Sequence, residues 1–401
     1  MAAKKRILFI PDTINGEDSG AHSARAMLNN LQTLGYSVGV YSTDANLRAL
    51  PDVKKAGALF SIPTAQRWYE FIFSPVLQSH FAYVLNVFKP DYVLFAGSIQ
   101  KPPVLAREAR KRGIKTVYLF YINDFFCHIN YAGTKFGPCN KCNPGWYLPA
   151  LTQRCIRPWQ FPHWVKGSLT RYLLAREIRR SYRVLGYGNE QIDSYRRFKV
   201  PEEKLSIIGF QFDPSDLKSI KVSDGGYFLL TGQPIVQKGW HLLAQIFTNL
   251  SMDVKVKISI TDEKKAKVYI KKYGLQKFID NGTISIVSQL FNRSDYISVV
   301  ASARGVLLPS YYSTTGEFVL QESMYLGKPV HVFNVGVHKD ILTDRHDALV
   351  SNIGDTYDFA SKINEINLDE SKRLSIGANA MITSQKFYSS PQSNLLDAVF
   401  K

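Results

Sequence analysis

The 401-residue chain predicts an α/β protein built as two doubly wound units in tandem, facing each other across a cleft. Two observations carry that prediction. Short, continuously apolar runs alternate with helix-patterned stretches from residue 6 onward, and the alternation breaks once, at 209–226, before starting again. Length is a third pointer, because a chain of this size is long for a single core. Strands apolar on both faces belong in a parallel sheet with helices on each side, and ligands of such sheets lie at the carboxyl ends of the strands.

The first half opens with "RILFI", a Gly-bearing loop, and "HSARAMLNNLQTLGY", where Ala24, Met27, Leu28, Leu31 and Leu34 recur at helical spacing and Gly35 supplies a stop. "SVGVYST", "DYVLFAG" and "KTVYLFY" read as further strands. Between the last two, "PPVLAREARKRGI" has the early Pro and late Gly of a helix. "YRVLGYG" and "LSIIGF" continue the series. The second half runs "YFLLTG", helix 239–250, "VKVKISI", helix 262–273, "TISIVSQ", helix 293–302, "GVLLPS", helix 317–326 and "KPVHVF". Domain limits of 1–215 and 222–386 follow. No internal repeat or low-complexity segment is present.

The apolar run "ILFI" is too short for a signal-peptide core and reads as a buried strand. The weakly charged stretch 71–88 holds Pro75, Gln78, His80 and Asn86, which favours a buried helix over a membrane span. Charge is uneven. Residues 1–224 carry 31 Lys and Arg against 17 Asp and Glu, while residues 131–200 alone carry 13 against 3. A basic half of this kind attracts nucleic acid, an anionic membrane surface or a phosphorylated substrate; a merely solvated basic face is the plain alternative.

Three stretches go further. "YFLLTGQPIVQKGWHLLAQIF" has a strand ending in Gly232, then Gln233, then Lys238-Gly239 opening a helix. "GVLLPSYYSTTGEFVLQESMYLGKPVHVF" places Glu322 on a helix closed by Gly327-Lys328-Pro329, and "VPEEKLSIIGFQFDPSDL" runs a strand into an Asp-rich turn. In this order and spacing the chain resembles the retaining GT-B glycosyltransferases of family 4, over nearly its whole length and most strongly from 227 to 365. The resemblance implies two Rossmann-like domains, an acceptor domain first and a nucleotide-sugar domain second. It also implies a C-terminal helix, about 387–401, that returns to the first domain. The implied reaction moves a hexosyl or pentosyl group from a nucleoside-diphosphate sugar to a glycan or lipid-linked acceptor, without a catalytic metal; no nucleic acid is expected as partner.

Residue by residue, Lys238 beside a helix start supplies charge and N–H groups to the donor diphosphate. Glu322 accepts from the ribose hydroxyls, and the loop Gly16–Gly20 lets backbone approach the donor phosphates. Where the family has Arg, this chain has Gln233. Where it has the first of two Glu, this chain has Thr314, with Gly316 and Glu317 nearby and Glu317 able to replace the missing acid. The family's acceptor-side His falls on Asn123, followed by the expected Asp124.

All four cysteines lie in one window, Cys127-x11-Cys139-x2-Cys142-x12-Cys155, around "FGPCNKCNPGW". A C-x2-C pair in a Gly/Pro turn with one Cys on each side fits a structural zinc site of four thiolates; disulfides, buried thiols and an iron–sulfur cluster are the other readings. Some family-4 enzymes carry a similar Cys-rich insertion at this point, here 127–155. After it, 158–183 mixes Trp159, Phe161 and Trp164 with Arg171, Arg176, Arg179, Arg180 and Arg183. This segment either meets an anionic membrane surface or packs Leu169, Tyr172, Leu173 and Ile178 on its own domain. The expected location is cytoplasmic, at the membrane surface if the first alternative holds. Two other functions compete: a zinc-stabilised nucleic-acid-binding protein using the basic half, and a scaffold whose transferase site has degenerated at Gln233 and Thr314.

Overall fold

The computed structural model describes residues 5–16, 19–42, 58–61, 74–99, 103–134, 137–143, 147–260, 263–288, 292–387 and 390–401. Two compact units emerge. The first spans 1–132, 140–212 and 390–401, and the second spans 133–139 and 213–389.

The strands of the first half are β1 (Arg6–Ile10), β2 (Ser37–Ser42), β3 (Ala58–Ser61), β4 (Tyr92–Gly97), β5 (Lys115–Phe120), the two-residue strands β6 (Gly133–Thr134) and β7 (Gly137–Pro138), then β8 (Arg183–Gly186) and β9 (Leu205–Ile207). The first unit is a parallel sheet in the order β3-β2-β1-β4-β5-β8-β9. Strand β4 is buried along its whole length, which its unbroken apolar sequence demands. Aromatic rings fill the space beside β5, with Phe95 stacked on Tyr118 at 4.9 Å and Phe120 on Phe125 at 5.1 Å.

Helix Pro75–Phe88 shows how locally its sequence decides. Ser74 caps it, its Oγ accepting from the Leu77 N–H at 3.2 Å; Pro75 begins it and Lys89 closes it in the left-handed conformation. Leu77, Phe81, Val84, Leu85 and Phe88 face the core, while Val76 and Tyr83 lie exposed on the other side. Among the described residues no helix is long and apolar enough to cross a membrane.

Helix Ser390–Phe400 belongs to the first unit. Lys5 Nζ donates to the carbonyls of Phe400 (3.1 Å) and Lys401 (2.6 Å), Tyr36 donates to Asp397 (2.6 Å), and Phe400 meets the Tyr92 ring edge-on at 5.2 Å.

In the second unit β10 (Phe228–Leu230), β11 (Val256–Ser259), β12 (Ile284–Val287), β13 (Gly305–Leu308), β14 (Val330–Phe333) and β15 (Leu349–Ser351) form a parallel sheet ordered β12-β11-β10-β13-β14-β15. The antiparallel β6–β7 hairpin clusters with this unit. In both sheets the first strand sits between its successor and a later strand: β1 between β2 and β4, β10 between β11 and β13. Strand order reverses there, and that is where a doubly wound sheet opens a crevice at its carboxyl edge. The sheets have the α/β class and doubly wound order that the sequence predicts.

Two local expectations change. Gly20 lies inside the first turn of helix Ser19–Thr33, so the Gly-bearing loop is shorter than Gly16–Gly20; its residues 17 and 18 lie outside the described ones. Lys238-Gly239 does not open an α-helix directly; Gly239 caps a 3-10 turn, Trp240–Leu242, that leads into one. Val236–Lys238 is a 3-10 turn, Gly239 is left-handed, and the α-helix begins only at Leu243. Close backbone packing is the reason: a Cβ on Gly239 would stand 2.0 Å from the Pro309 carbonyl, and the Tyr311 N–H donates to Gln237 O at 2.7 Å.

Candidate functional site

The crevice of the second unit holds a compact charged network. Lys238 reaches Glu317 in a short ion pair, Ser310 Oγ donates to the same carboxylate oxygen at 2.8 Å, and His338 Nε2 stands 3.3 Å from the other oxygen. His338 is fully buried and its Nδ1 is 3.1 Å from the Phe333 carbonyl, so an N–H at Nδ1 fixes the ring. Burial alone would raise the Glu317 carboxyl, but Lys238 and His338 outweigh it and hold it well below the usual carboxylate range. Burial would likewise lower Lys238, and the charge of Glu317 with the nearby Tyr312 raises it instead. Both groups therefore stay charged.

Beside them, Arg293 NH1 donates to Glu322 Oε1 at 2.7 Å and its Nε pairs with Asp216. Glu322 is buried in the middle of helix Phe318–Tyr325; burial raises its carboxyl, and Arg293 only partly offsets this. One of its oxygens is thus committed to a guanidinium, which sequence reading did not foresee.

Thr314 is buried and serves its own loop. Its Oγ1 accepts from the Gly316 N–H at 3.3 Å, and its carbonyl accepts from Val337 N at 2.9 Å. Glu317, and not Thr314, is the residue paired with Lys238. Gln233 is exposed at the end of β10, and Gly316 has a φ of 141° that only glycine adopts readily.

In the first unit, Asp12 follows β1 and accepts from the Ser98 N–H after β4. Gly97 makes this possible, since a Cβ there would lie 2.4 Å from the Asp12 carboxylate. Asn123 and Asp124 form a buried turn just past β5. Asp124 Oδ2 accepts from Ile99 N at 2.8 Å, and its Oδ1 is buried without a hydrogen-bond partner. Burial pushes the Asp124 carboxyl up to about 7, against the pull of the Ile99 N–H and Arg171. Arg171 is not at the surface. It is buried and donates to the carbonyls of Asp124 (2.7 Å), Cys127 (3.1 Å) and Gly167 (3.1 Å), tying the Asp124 turn to helix Phe161–Arg179.

The four cysteines are half-buried and form no disulfide. Among the described residues no three His, Cys, Asp or Glu side chains gather closely enough to hold a metal ion. Cys139 lies in the segment that clusters with the second unit, while Cys127, Cys142 and Cys155 lie in the first. The expected four-thiolate zinc site is thus without support among the described residues. Residues 144–146 of the turn expected to aim the thiolates lie outside the described ones.

Helix Phe161–Arg179 packs only part of its apolar side chains on its own domain. Ile178 and Leu174 are buried, yet Phe161, Val165, Leu169 and Tyr172 lie 41–50% exposed along one face, with Trp159 70% exposed just before them. Its inward face instead buries Arg171 and Glu177.

Of the residues named from sequence, Lys238, Glu317 and Glu322 meet around the β10–β13 crevice, and Asn123 and Asp124 sit at the carboxyl edge of the other sheet. Arg293, Ser310, His338 and Asp12 were missed. His338, Asp12 and Ser310 each follow a strand, as site residues do, and that position was a usable signal; Arg293 had none.

Residues 213–382 match the family described as Glycosyl transferases group 1. No curated protein sequence matches the chain. Solved structures that resemble it include sucrose-phosphate synthase from Thermosynechococcus elongatus, at 13% identity and a TM-score of 0.70, covering 99% of this chain and 98% of that one. Anabaena HepE in complex with UDP and glucose follows at 14% and 0.67, covering 98% of each chain. The lipopolysaccharide outer core galactosyltransferase WaaB, apo form, stands at 12% and 0.66, again covering 98% of each chain. With two parallel, doubly wound sheets and likeness over the full length, the fold is that of the GT-B glycosyltransferase structures.

Proposed function

We propose that this chain is a retaining glycosyltransferase of the family-4 kind, moving a hexosyl or pentosyl group from a nucleoside-diphosphate sugar to a glycan or lipid-linked acceptor. The observation that carries the reading is the Lys238–Glu317–His338 network at the β10–β13 crevice, inside the segment that matches Glycosyl transferases group 1. The UDP complex of the similarly folded HepE supports a nucleoside diphosphate as the donor's carrier.

In this reading Lys238 meets the leaving diphosphate. Glu317, itself fixed by Ser310 and His338, holds the ammonium in place before the donor arrives, so little reorganisation is needed when charge develops. Arg293 orients Glu322, whose second oxygen accepts from the donor ribose. As the bond from the anomeric carbon to phosphate breaks, the acceptor oxygen attaches on the same face and its proton passes to the leaving phosphate. Asn123 and Asp124 position the acceptor. The exposed row Trp159, Phe161, Val165, Leu169 and Tyr172, flanked by arginines, brings the enzyme to an anionic membrane surface where a lipid-linked acceptor lies.

The test is thermal stabilisation by a panel of nucleoside diphosphates and their sugars. A ligand bound only by the folded protein adds about 2.7 kcal/mol at a hundredfold excess over its dissociation constant. One nucleotide is expected to raise the midpoint in the wild type and to lose its effect in Lys238→Ala. If none raises it, the donor site is wrong; if one binds but its sugar is never transferred, the scaffold reading takes over.

A further inference from the structure

Away from the crevices, the first unit holds a cavity of about 400 Å³ between helices Pro103–Lys111 and Phe161–Arg179. Arg107, Arg110, Lys111, Arg176 and Arg180 line it, with Glu177 as the acidic group of the wall and Leu173 as its apolar one. Both helices end here, just before β5 and β8 begin, so the cavity opens at the amino edge of the sheet, opposite to Asp124.

The charges do not balance. Glu177, whose side chain is only 4% exposed, draws in Arg110 at 3.1 Å, Arg107 at 3.8 Å and Arg180 at 3.9 Å. One carboxylate thus anchors three guanidiniums, and Arg176 and Lys111 add two more cations with no acid facing them in the cavity. The Arg110 Nε is buried and has no hydrogen-bond partner. Clustered like charges repel, and an anion relieves the repulsion. The helix C-termini favour cations at this place. Guanidiniums held by a common carboxylate are prepositioned forks, the geometry that suits a phosphate group.

We infer that this cavity binds a phosphate-bearing anion. The inference stands on this cluster and does not rest on the transfer reaction. The phosphate comes either from a soluble phosphorylated molecule or from a lipid head group, since the exposed row Val165, Leu169 and Tyr172 leads along the helix to Leu173 and Arg176 at the cavity.

The experiment uses the full chain carrying Lys238→Ala, which removes the diphosphate contact in the second unit. Inorganic pyrophosphate is titrated at constant ionic strength while the thermal midpoint is followed. A saturable rise is expected, with the affinity falling by at least about tenfold when Arg107→Gln and Arg176→Gln are added. Both side chains are largely exposed, so an unchanged midpoint without ligand shows that the variant is folded. No rise with pyrophosphate, or the same rise in the variant, overturns the site. Flotation with phosphatidylglycerol–phosphatidylcholine vesicles, against phosphatidylcholine alone, then assigns the source. Vesicle binding abolished by the arginine pair points to a lipid phosphate; pyrophosphate binding without that vesicle effect points to a soluble one.

Discussion

At the scale of single residues, Asp124 is the informative one. A buried carboxyl at about 7 is protonated in the folded chain over a range where the unfolded chain has lost its proton. Its contribution is fully present below the unfolded pKa and is lost as pH rises through about 7. By about pH 8 keeping it ionised costs up to about 4 kcal/mol, three units at 1.36 kcal/mol each. Asp124→Asn keeps an acceptor for the Ile99 N–H and removes the charge. The variant is therefore expected to be more stable than the wild type near pH 8, with the gain shrinking toward pH 4, as read from denaturation midpoints across the range. A gain independent of pH would mean that the Asp124 carboxyl is not raised in the folded chain. Loss of transfer in the same variant, with nucleotide binding intact, is expected if Asp124 serves the acceptor.

At the scale of elements, the turn Val236–Lys238 and Gly239 hold the proposed donor-side Lys238 in place. The left-handed Gly239 lies against Pro309, which pins the end of β10's loop to the end of β13. Gly239→Ala meets both a φ of 76° and a 2.0 Å clash, and is expected to destabilise the second unit by at least about 2 kcal/mol and to weaken nucleotide binding with it. Denaturant unfolding with a parallel nucleotide titration checks it; a neutral outcome would show that the loop relaxes freely. The same element explains why the α-helix begins later than sequence reading has it. Lys-Gly before an apolar periodic run does open helical turns at Trp240, but these are 3-10 in form, with Gly239 left-handed against Pro309 ahead of them. The central strands were legible because burial on both faces leaves an unbroken apolar run. Ala58–Ser61 and Leu349–Ser351 escaped because an edge strand needs only a few apolar residues. Arg293–Glu322 and Asp12–Ser98 escaped for another reason: each joins residues 29 or 86 positions apart, and nothing local marks the pairing.

At the scale of the whole molecule, charge is the property that sequence alone made plain, and structure shows where part of it goes. Arg171 is spent inside, on three carbonyls, whereas Arg107, Arg176 and Arg180 stay at the cavity rim. Together with the exposed aromatic row they predict binding to anionic vesicles that weakens steeply between about 0.05 and 0.3 M salt, because the Debye length shrinks below the spacing of surface charges. Phe161→Ser with Leu169→Ser is expected to abolish the salt-resistant part, measured by flotation. Binding that ignores both salt and these substitutions would remove the membrane from the account.

The return of helix Ser390–Phe400 to the first unit has a consequence for biosynthesis. Lys5 and Tyr36 are translated before the second unit, yet their partners, Phe400 and Lys401 for Lys5 and Asp397 for Tyr36, emerge only after that unit has been made. The first unit must therefore wait, with the surface around Tyr36 and Tyr92 uncovered, while its neighbour is translated and folds. Its own completion follows the folding of its neighbour, and an affinity tag fused after Lys401 would be placed close to Lys5 and the first strand.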